Sequence, residues 1–261
     1  MPKIVSIRSY KMRELVRFIK GVVITLVLVL GFASCTKDSF NKQAPITLTL
    51  LMEHHLDGEP LEFNTLKFPC IEKYVISVTK LEYFISDVYL ISTSGKKIHL
   101  AEYIYVDAKF PSKFNFELNN LEAVSSIEFT FGLVPAINEH DLISNTYEHL
   151  QMIWPEQLGG GYHFMKFEGH YRLPDNTLSG YAMHLGENGY QFKVKLNPVF
   201  QLNNQDRVFV LNMNLNEWFN SPQLYDFEID GNYSMAVEEN MKKLTANGVN
   251  VFTLKEYFDE N

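Results

Sequence analysis

From residue 45 onward the chain is written in a two-residue period, and this alternation constrains the fold more than any other feature. Ile46, Leu48, Leu50, Met52 and His54 share one phase, while Thr47, Thr49, Glu53 and His55 share the other. That is the pattern of a strand with one buried face. Segments rich in Tyr, Phe, Val and Ile recur at residues 75–92, 96–107, 114–118, 125–133, 162–172, 180–186, 190–201 and 207–215, separated by Gly, Asn, Pro and Ser. Ser94-Gly95 and Asn188-Gly189 are hairpin-turn signals. Helical spacing is confined to residues 139–151 and 234–247; the second places Met235, Val237, Met241 and Leu244 on one face and stops at Asn247-Gly248. Many strands, few helices and short links predict an all-β chain, an antiparallel β-sandwich with one or two short helices over residues 45–261.

The first 35 residues follow a different rule. Lys3, Arg8, Lys11, Arg13, Arg17 and Lys20 form a basic leader opposed only by Glu14, and residues 21–32 form an apolar run too short to span a bilayer comfortably as a mature helix. Phe32-Ala33-Ser34-Cys35 closes the run with small residues before a cysteine, which resembles a bacterial lipoprotein cleavage box. The expected arrangement is a signal peptide over residues 1–34, lipid on Cys35, and a polar tether (TKDSFNKQA) over residues 36–44. An uncleaved membrane anchor is the alternative, and Met12 is a second candidate start. Either arrangement puts the body in the cell envelope, on the periplasmic or outer-membrane face of a Gram-negative bacterium, with the membrane as a partner through the anchor.

The leader holds six of the 23 Lys and Arg and one of the 31 Asp and Glu, so the rest carries 17 basic and 30 acidic side chains and a net charge of −13. Such a surface has no basic stripe to displace the counterions of a nucleic acid, so nucleic acid is excluded as a partner. With Cys35 committed to lipid, Cys70 is the only other cysteine, and core burial rather than a disulfide must hold the fold. Cys70, flanked by Phe68, Pro69 and Ile71, reads as a small buried hydrophobe, with a soft metal ligand as the alternative.

Residues 152–186 gather a tryptophan, a glycine run, three histidines, two glutamates and three methionines. Imidazole, carboxylate and thioether groups at that density suit a metal site, and an aromatic β core also produces them by chance. Strand phase sorts them. His54 shares the apolar face of its strand and points inward, where a buried imidazole needs a partner for each ring nitrogen. His163 shares a face with Met165, Phe167 and Tyr171; Glu168 and His170 fall with Lys166 and Arg172 on what reads as the solvated face. His184 is in phase with Gly180 and Ala182, and these small neighbours leave room beside its ring. His99, His140 and His149 have no such context. No H-E-x-x-H, phosphate-binding G-x-x-x-x-G-K-[ST] or nucleophile elbow G-x-S-x-G occurs, so any metal site is assembled from distant strands and no catalysis is expected.

The order of these pieces resembles the MbnP-like copper-binding proteins, envelope or secreted β proteins related to methanobactin-associated and copper-repressible methanotroph proteins. The resemblance spans nearly the whole chain after the leader. It rests on MEHHLDGEPL (residues 52–61), LEYFISDVYL (81–90) with its turn at Gly95, a tryptophan loop leading to GYHFMKFEG (161–169), MHLG (183–186) and NGVNVF (247–252). The resemblance implies copper held by histidines, with His54 and His184 as the main ligands, Trp154 near the metal and His163 as a weaker candidate. In some members the tryptophan is oxidised to kynurenine and helps to coordinate. This chain departs from the usual W-x-W form of that segment and reads WPEQLGG.

Two functions follow as expectations. One is a lipid-anchored copper-binding protein of the envelope, non-catalytic, acting in copper acquisition or handling, with zinc as the alternative metal; imidazoles suit both, and nearby Met152, Met165 or Met183 bias a site toward Cu(I). The other is a non-metal binding module for glycan or a partner protein, prompted by the 14% aromatic content and requiring Trp154, Trp218 and several tyrosines to lie exposed in one plane.

Overall fold

The alternation that starts at Ile46 becomes the longest strand of the smaller of two sheets. A computed structural model describes residues 45–119, 123–197 and 206–257; Cys35, the leader and the tether lie outside the described residues. In chain order the elements are β1 (Ile46–Leu56), β2 (Glu59–Pro60), β3 (Phe68–Cys70), β4 (Tyr74–Ser92), β5 (Lys97–Asp107), β6 (Ser112–Leu118), β7 (Val124–Phe131), α1 (Tyr147–Gln151), β8 (His163–Arg172), β9 (Leu178–Gly186), β10 (Phe192–Leu196), β11 (Arg207–Asn214), α2 (Glu217–Asn220), α3 (Glu238–Gly248) and β12 (Phe252–Tyr257). The strand expected over residues 190–201 is shorter at both ends, and its residues 198–201 lie outside the described residues.

One sheet runs β12-β11-β1-β2, with β6 also on β1; the other runs β10-β7-β4-β8-β9, with β3 and β5 also on β4. β4 is long enough to serve two sets of neighbours. Its first half lies between β3 and β8 and its second half between β5 and β7. Among the described strands every pairing is antiparallel except β1 with β11. That exception needs no local crossover, because the two strands are separated by most of the chain.

The inner faces pack as the alternation predicts. Leu48 and Leu50 of β1 and Ile76, Val78 and Leu81 of β4 are at most 1% exposed. Aromatic rings bridge the sheets: Phe252 of β12 meets Phe129 and Phe131 of β7 at 5.2 and 5.8 Å between centroids. A fully buried side chain of this size is worth about 2–3 kcal/mol in transfer free energy, so the fold needs no disulfide.

Both expected helices are shorter than their periodicity suggests, and each is cut by one left-handed residue. Asp141 sits at φ 68° and Ala236 at φ 58°, conformations that cannot propagate a right-handed helix. Helix α1 therefore starts only after Thr146, whose side chain accepts from His149 N. Helix α3 starts after Val237 and ends at Gly248, beside the expected stop. Among the described residues no helix is long and apolar enough to cross a membrane.

Candidate metal centre

A single extra residue in β8 decides where the histidines of the segment 152–186 point. Met165 pairs with Leu185 and His163 with Gly186, so Phe164 is a bulge between two residues that would otherwise share a face. Met165, Phe167 and Leu185 stay on the inner face and are fully buried. His163 is turned to the outer face, onto the side occupied by His184 of β9. This overturns the expectation that His163 shares its face with Met165: the two-residue period holds only while the strand is regular.

The outer face there is not open. Residues 152–161 fold back over it through a run of left-handed glycines, with Gly159, Gly160 and Gly161 at φ 105°, 70° and 81°. The reversal lets Trp154 N donate to the Gly161 carbonyl at 2.9 Å and closes a bridge between Ile153 and Tyr162. Trp154 is fully buried. Its indole N–H donates to the Leu158 carbonyl at 2.9 Å, and its ring meets His163 edge-on at 4.7 Å. The second cover is Ser234, whose hydroxyl accepts from His184 N and donates to the His184 carbonyl, both at 2.7 Å.

Under this cover lie two imidazoles, 5.1 Å apart and nearly perpendicular. The Met152 carbonyl accepts from His163 N at 2.6 Å and lies 3.2 Å from His163 Nδ1. A carbonyl only accepts, so Nδ1 carries the proton and Nε2 keeps its lone pair. Burial, followed by the nearby charges of Lys166 and His184, pushes the His163 pKa down to about 3, which keeps this ring neutral near pH 7.

His184 Nε2 lies 2.9 Å from Glu168 Oε1. That hydrogen bond, ahead of the competing effect of burial, holds the Glu168 carboxyl below the usual range. An ionised carboxylate accepts only, so the proton sits on His184 Nε2. His184 Nδ1 is then a buried nitrogen with no hydrogen-bond partner. In the neutral ring that nitrogen carries the lone pair. A carboxylate holding one ring nitrogen while the other is left free is how histidine ligands are oriented in metal sites.

The reading of Glu168 as solvated is thereby corrected. Its side chain is 32% exposed and that of its partner His184 15%, because residues from the far end of the chain cover a face that period-2 analysis assigns to water. His170 is exposed, as expected. The missed signal was register: Lys166 faces His184 and Glu168 faces Ala182 across the β8–β9 ladder, close enough for the diagonal Glu168–His184 contact.

His54 points inward as its phase predicts, and its partner is Tyr83. His54 Nε2 and the Tyr83 hydroxyl are 3.0 Å apart, and burial, helped by His55, pushes the His54 pKa down to about 4. Tyr83 is opposite Met165 in the β4–β8 ladder, whereas His184 is opposite Lys166, the next residue. Adjacent residues of a strand face opposite ways. The structure therefore does not bring His54 and His184 together: one lies between the sheets and the other on the outer face of the larger sheet. It brings together His184, His163, Glu168 and Trp154. Cys70 is buried, and burial pushes its thiol pKa up. Trp218, like Trp154, is fully buried, so neither indole offers an exposed stacking platform.

Among the described residues no group of three or more His, Cys, Asp or Glu side chains is placed to hold a metal ion. The donor set is two imidazoles, of which His163 is held neutral by burial. That is too few for a structural zinc site, which takes four protein ligands, and imidazole by itself suits several transition metals.

A family model for MbnP matches residues 45–238. The chain belongs to the MbnP family. Among solved structures, MbnP from Methylosinus trichosporium is similar in fold, with a TM-score of 0.50 and 12% sequence identity over 69% of this chain and 80% of that one. A comparison with curated proteins gave no match. The family match includes β1, with His54, and all of β8 and β9, with His163, Glu168 and His184.

Proposed function

We propose that this MbnP-family chain is a non-catalytic copper-binding protein of the cell envelope, held to a membrane through lipid on Cys35 and acting in copper acquisition or handling. The observation that carries the reading is the buried Nδ1 of His184, which has no hydrogen-bond partner, beside the neutral ring of His163. His184 and His163 would hold the ion, Glu168 would fix the His184 ring, and Trp154 would wall the site. Bound there, copper would be cargo shielded from solvent by residues 152–161. Two imidazoles, with no third protein ligand among the described residues, favour copper over zinc on coordination number. His54, the ligand that family resemblance implies, lies between the sheets beside Tyr83 and has no part in this pair, and the experiment separates the two.

The test is copper binding by the full chain in detergent, measured with Cu(I) against a competing chelator, for the parent and for His184→Ala, His163→Ala and His54→Ala. The reading expects His184→Ala and His163→Ala each to abolish tight binding while His54→Ala retains it. A parent that binds no copper, or binding that survives loss of both His163 and His184, would overturn it. Loss on His54→Ala alone would move the centre to the sandwich interior.

A further inference from the structure

A second polar site lies on the outer face of the smaller sheet, away from the histidine pair. An open groove of about 800 Å³ crosses β12, β11 and β1 and ends against the turn between β5 and β6. Its size falls in the range of about 300–1,000 Å³ typical of ligand sites. The floor is set by register. Glu53 pairs with Asn212 and Asn212 with Thr253, so a carboxylate, an amide and a hydroxyl lie in one row across three strands. The next row on that face pairs His55 with Asn214.

Several of these groups have hydrogen-bonding capacity to offer. Asn212 is 4% exposed and makes one long bond, from its amide nitrogen to the Val210 carbonyl at 3.4 Å. His55 Nδ1 accepts from Gly58 N at 3.0 Å, which places the proton of the neutral ring on Nε2. The charges that line the groove balance: Glu53 and Glu217 against Lys109 and Lys255. At the rim stands Phe110, 67% exposed, on a turn fixed by its N–H donating to the Asp107 carbonyl at 3.1 Å.

We propose that this groove binds a neutral oligosaccharide. In-plane amide, hydroxyl, imidazole and carboxylate groups of both donor and acceptor character match a ring of hydroxyls, and an exposed phenyl gives a pyranose C–H face something to stack on. The zero sum of the lining charges, on a chain that is strongly acidic after its leader, argues against an anionic or cationic ligand. A peptide would find here neither a row of apolar pockets nor a continuous free backbone edge, because β2 and β6 occupy that edge of β1.

The test is calorimetric titration of the full chain, in a detergent without a sugar headgroup, with maltotetraose, cellotetraose and chitotriose. Binding of at least one is expected, weakened tenfold or more by Phe110→Ala and by Glu53→Gln, and unchanged by His163→Ala, which touches only the copper reading. Phe110 and Glu53 are exposed, so circular dichroism should show both variants folded. If no oligosaccharide binds at millimolar concentration, or if binding ignores both substitutions, the proposal fails. It fails equally if the groove variants abolish capture of a displayed random peptide while the sugars give no heat.

Discussion

Replacing Gly186 with alanine should unseat Trp154, and the geometry sets the size of the effect. A Cβ at residue 186 would lie 2.3 Å from Trp154 Cε3, 2.6 Å from Cδ2 and 2.7 Å from Cζ3. Carbon atoms at rest are about 3.5–4.0 Å apart, so the indole must retreat by more than 1 Å. It has little room to do so: Trp154 is fully buried, tied to the Leu158 carbonyl and in contact with His163. Overpacking of this kind costs about 1–3 kcal/mol, and losing the indole bond adds about 1 kcal/mol, giving about 3 kcal/mol for Gly186→Ala. Trp154→Leu alone should cost about 3 kcal/mol through the cavity it leaves. In that background the new methyl group meets space, and Gly186→Ala should cost less than about 1 kcal/mol, a coupling of about 2 kcal/mol in a double-mutant cycle. Urea unfolding followed by far-ultraviolet circular dichroism measures all four proteins without relying on Trp154 as the probe. Additivity within about 0.5 kcal/mol would refute the placement of the indole on Gly186. Gly186→Ala should also weaken copper binding, since Trp154 can move only against its neighbours.

The remaining predictions concern the two faces of the larger sheet. For His54, the pKa falls from 6.5 unfolded to about 4 folded, so the unfolded chain takes up protons first. Its contribution is therefore complete above pH 6.5 and lost as the pH falls toward 4, a loss of about 2–3 kcal/mol. The urea midpoint of the parent should drop between pH 7.5 and 4.5 by more than that of His54→Gln, and parallel profiles would contradict the buried, neutral assignment. Gly169→Ala should be worse than Gly186→Ala: its Cβ would lie 1.8 Å from the Ser77 carbonyl oxygen, a backbone atom of the paired strand that cannot rotate away. A melting temperature within 2 °C of the parent, by the same circular dichroism signal, would count against that close approach; a loss of about 3 kcal/mol or more is expected. Glu168→Gln keeps an acceptor for His184 Nε2–H but removes the charge. Copper affinity should fall about 10–100-fold with stability nearly unchanged, and unaltered affinity would show that Glu168 does not orient the ring.

What the chain declares about itself, and what it hides, divides along one physical line. Strand phase is local, and where β1 and β4 run regularly it orients side chains correctly: Leu48, Leu50 and His54 all point inward. A bulge is local too, yet it has no compositional mark, and the extra residue at Phe164 silently reverses His163. Cover is not local at all. Nothing near Glu168 announces that Ser234 and the 152–161 segment will shelter its neighbourhood, so an ordinary Lys-Glu-His-Arg alternation reads as a wet surface. β12 was legible in principle, since Phe252 and Leu254 alternate with Thr253 and Lys255, but at six residues it falls near the lower limit at which periodicity speaks.

The same division explains why the histidines pair as they do. A residue-by-residue transfer from a family aligns His54 and His184 by their places in strands, and the strand that separates them is the information such a transfer lacks. Met165 and Lys166 are neighbours in sequence, yet one is opposite Tyr83, the partner of His54, and the other is opposite His184. A ligand pair between His54 and His184 would have to reach through the β8 backbone, which no side-chain rotamer can do. The His163–His184 pair requires no such passage, because the bulge at Phe164 has already carried His163 to the right side. If copper binding depends on His163, the residue that makes the site is thus Phe164, whose insertion turns a core histidine into a candidate ligand; deleting Phe164 should return His163 to the inner face and abolish binding even though both imidazoles remain in the chain.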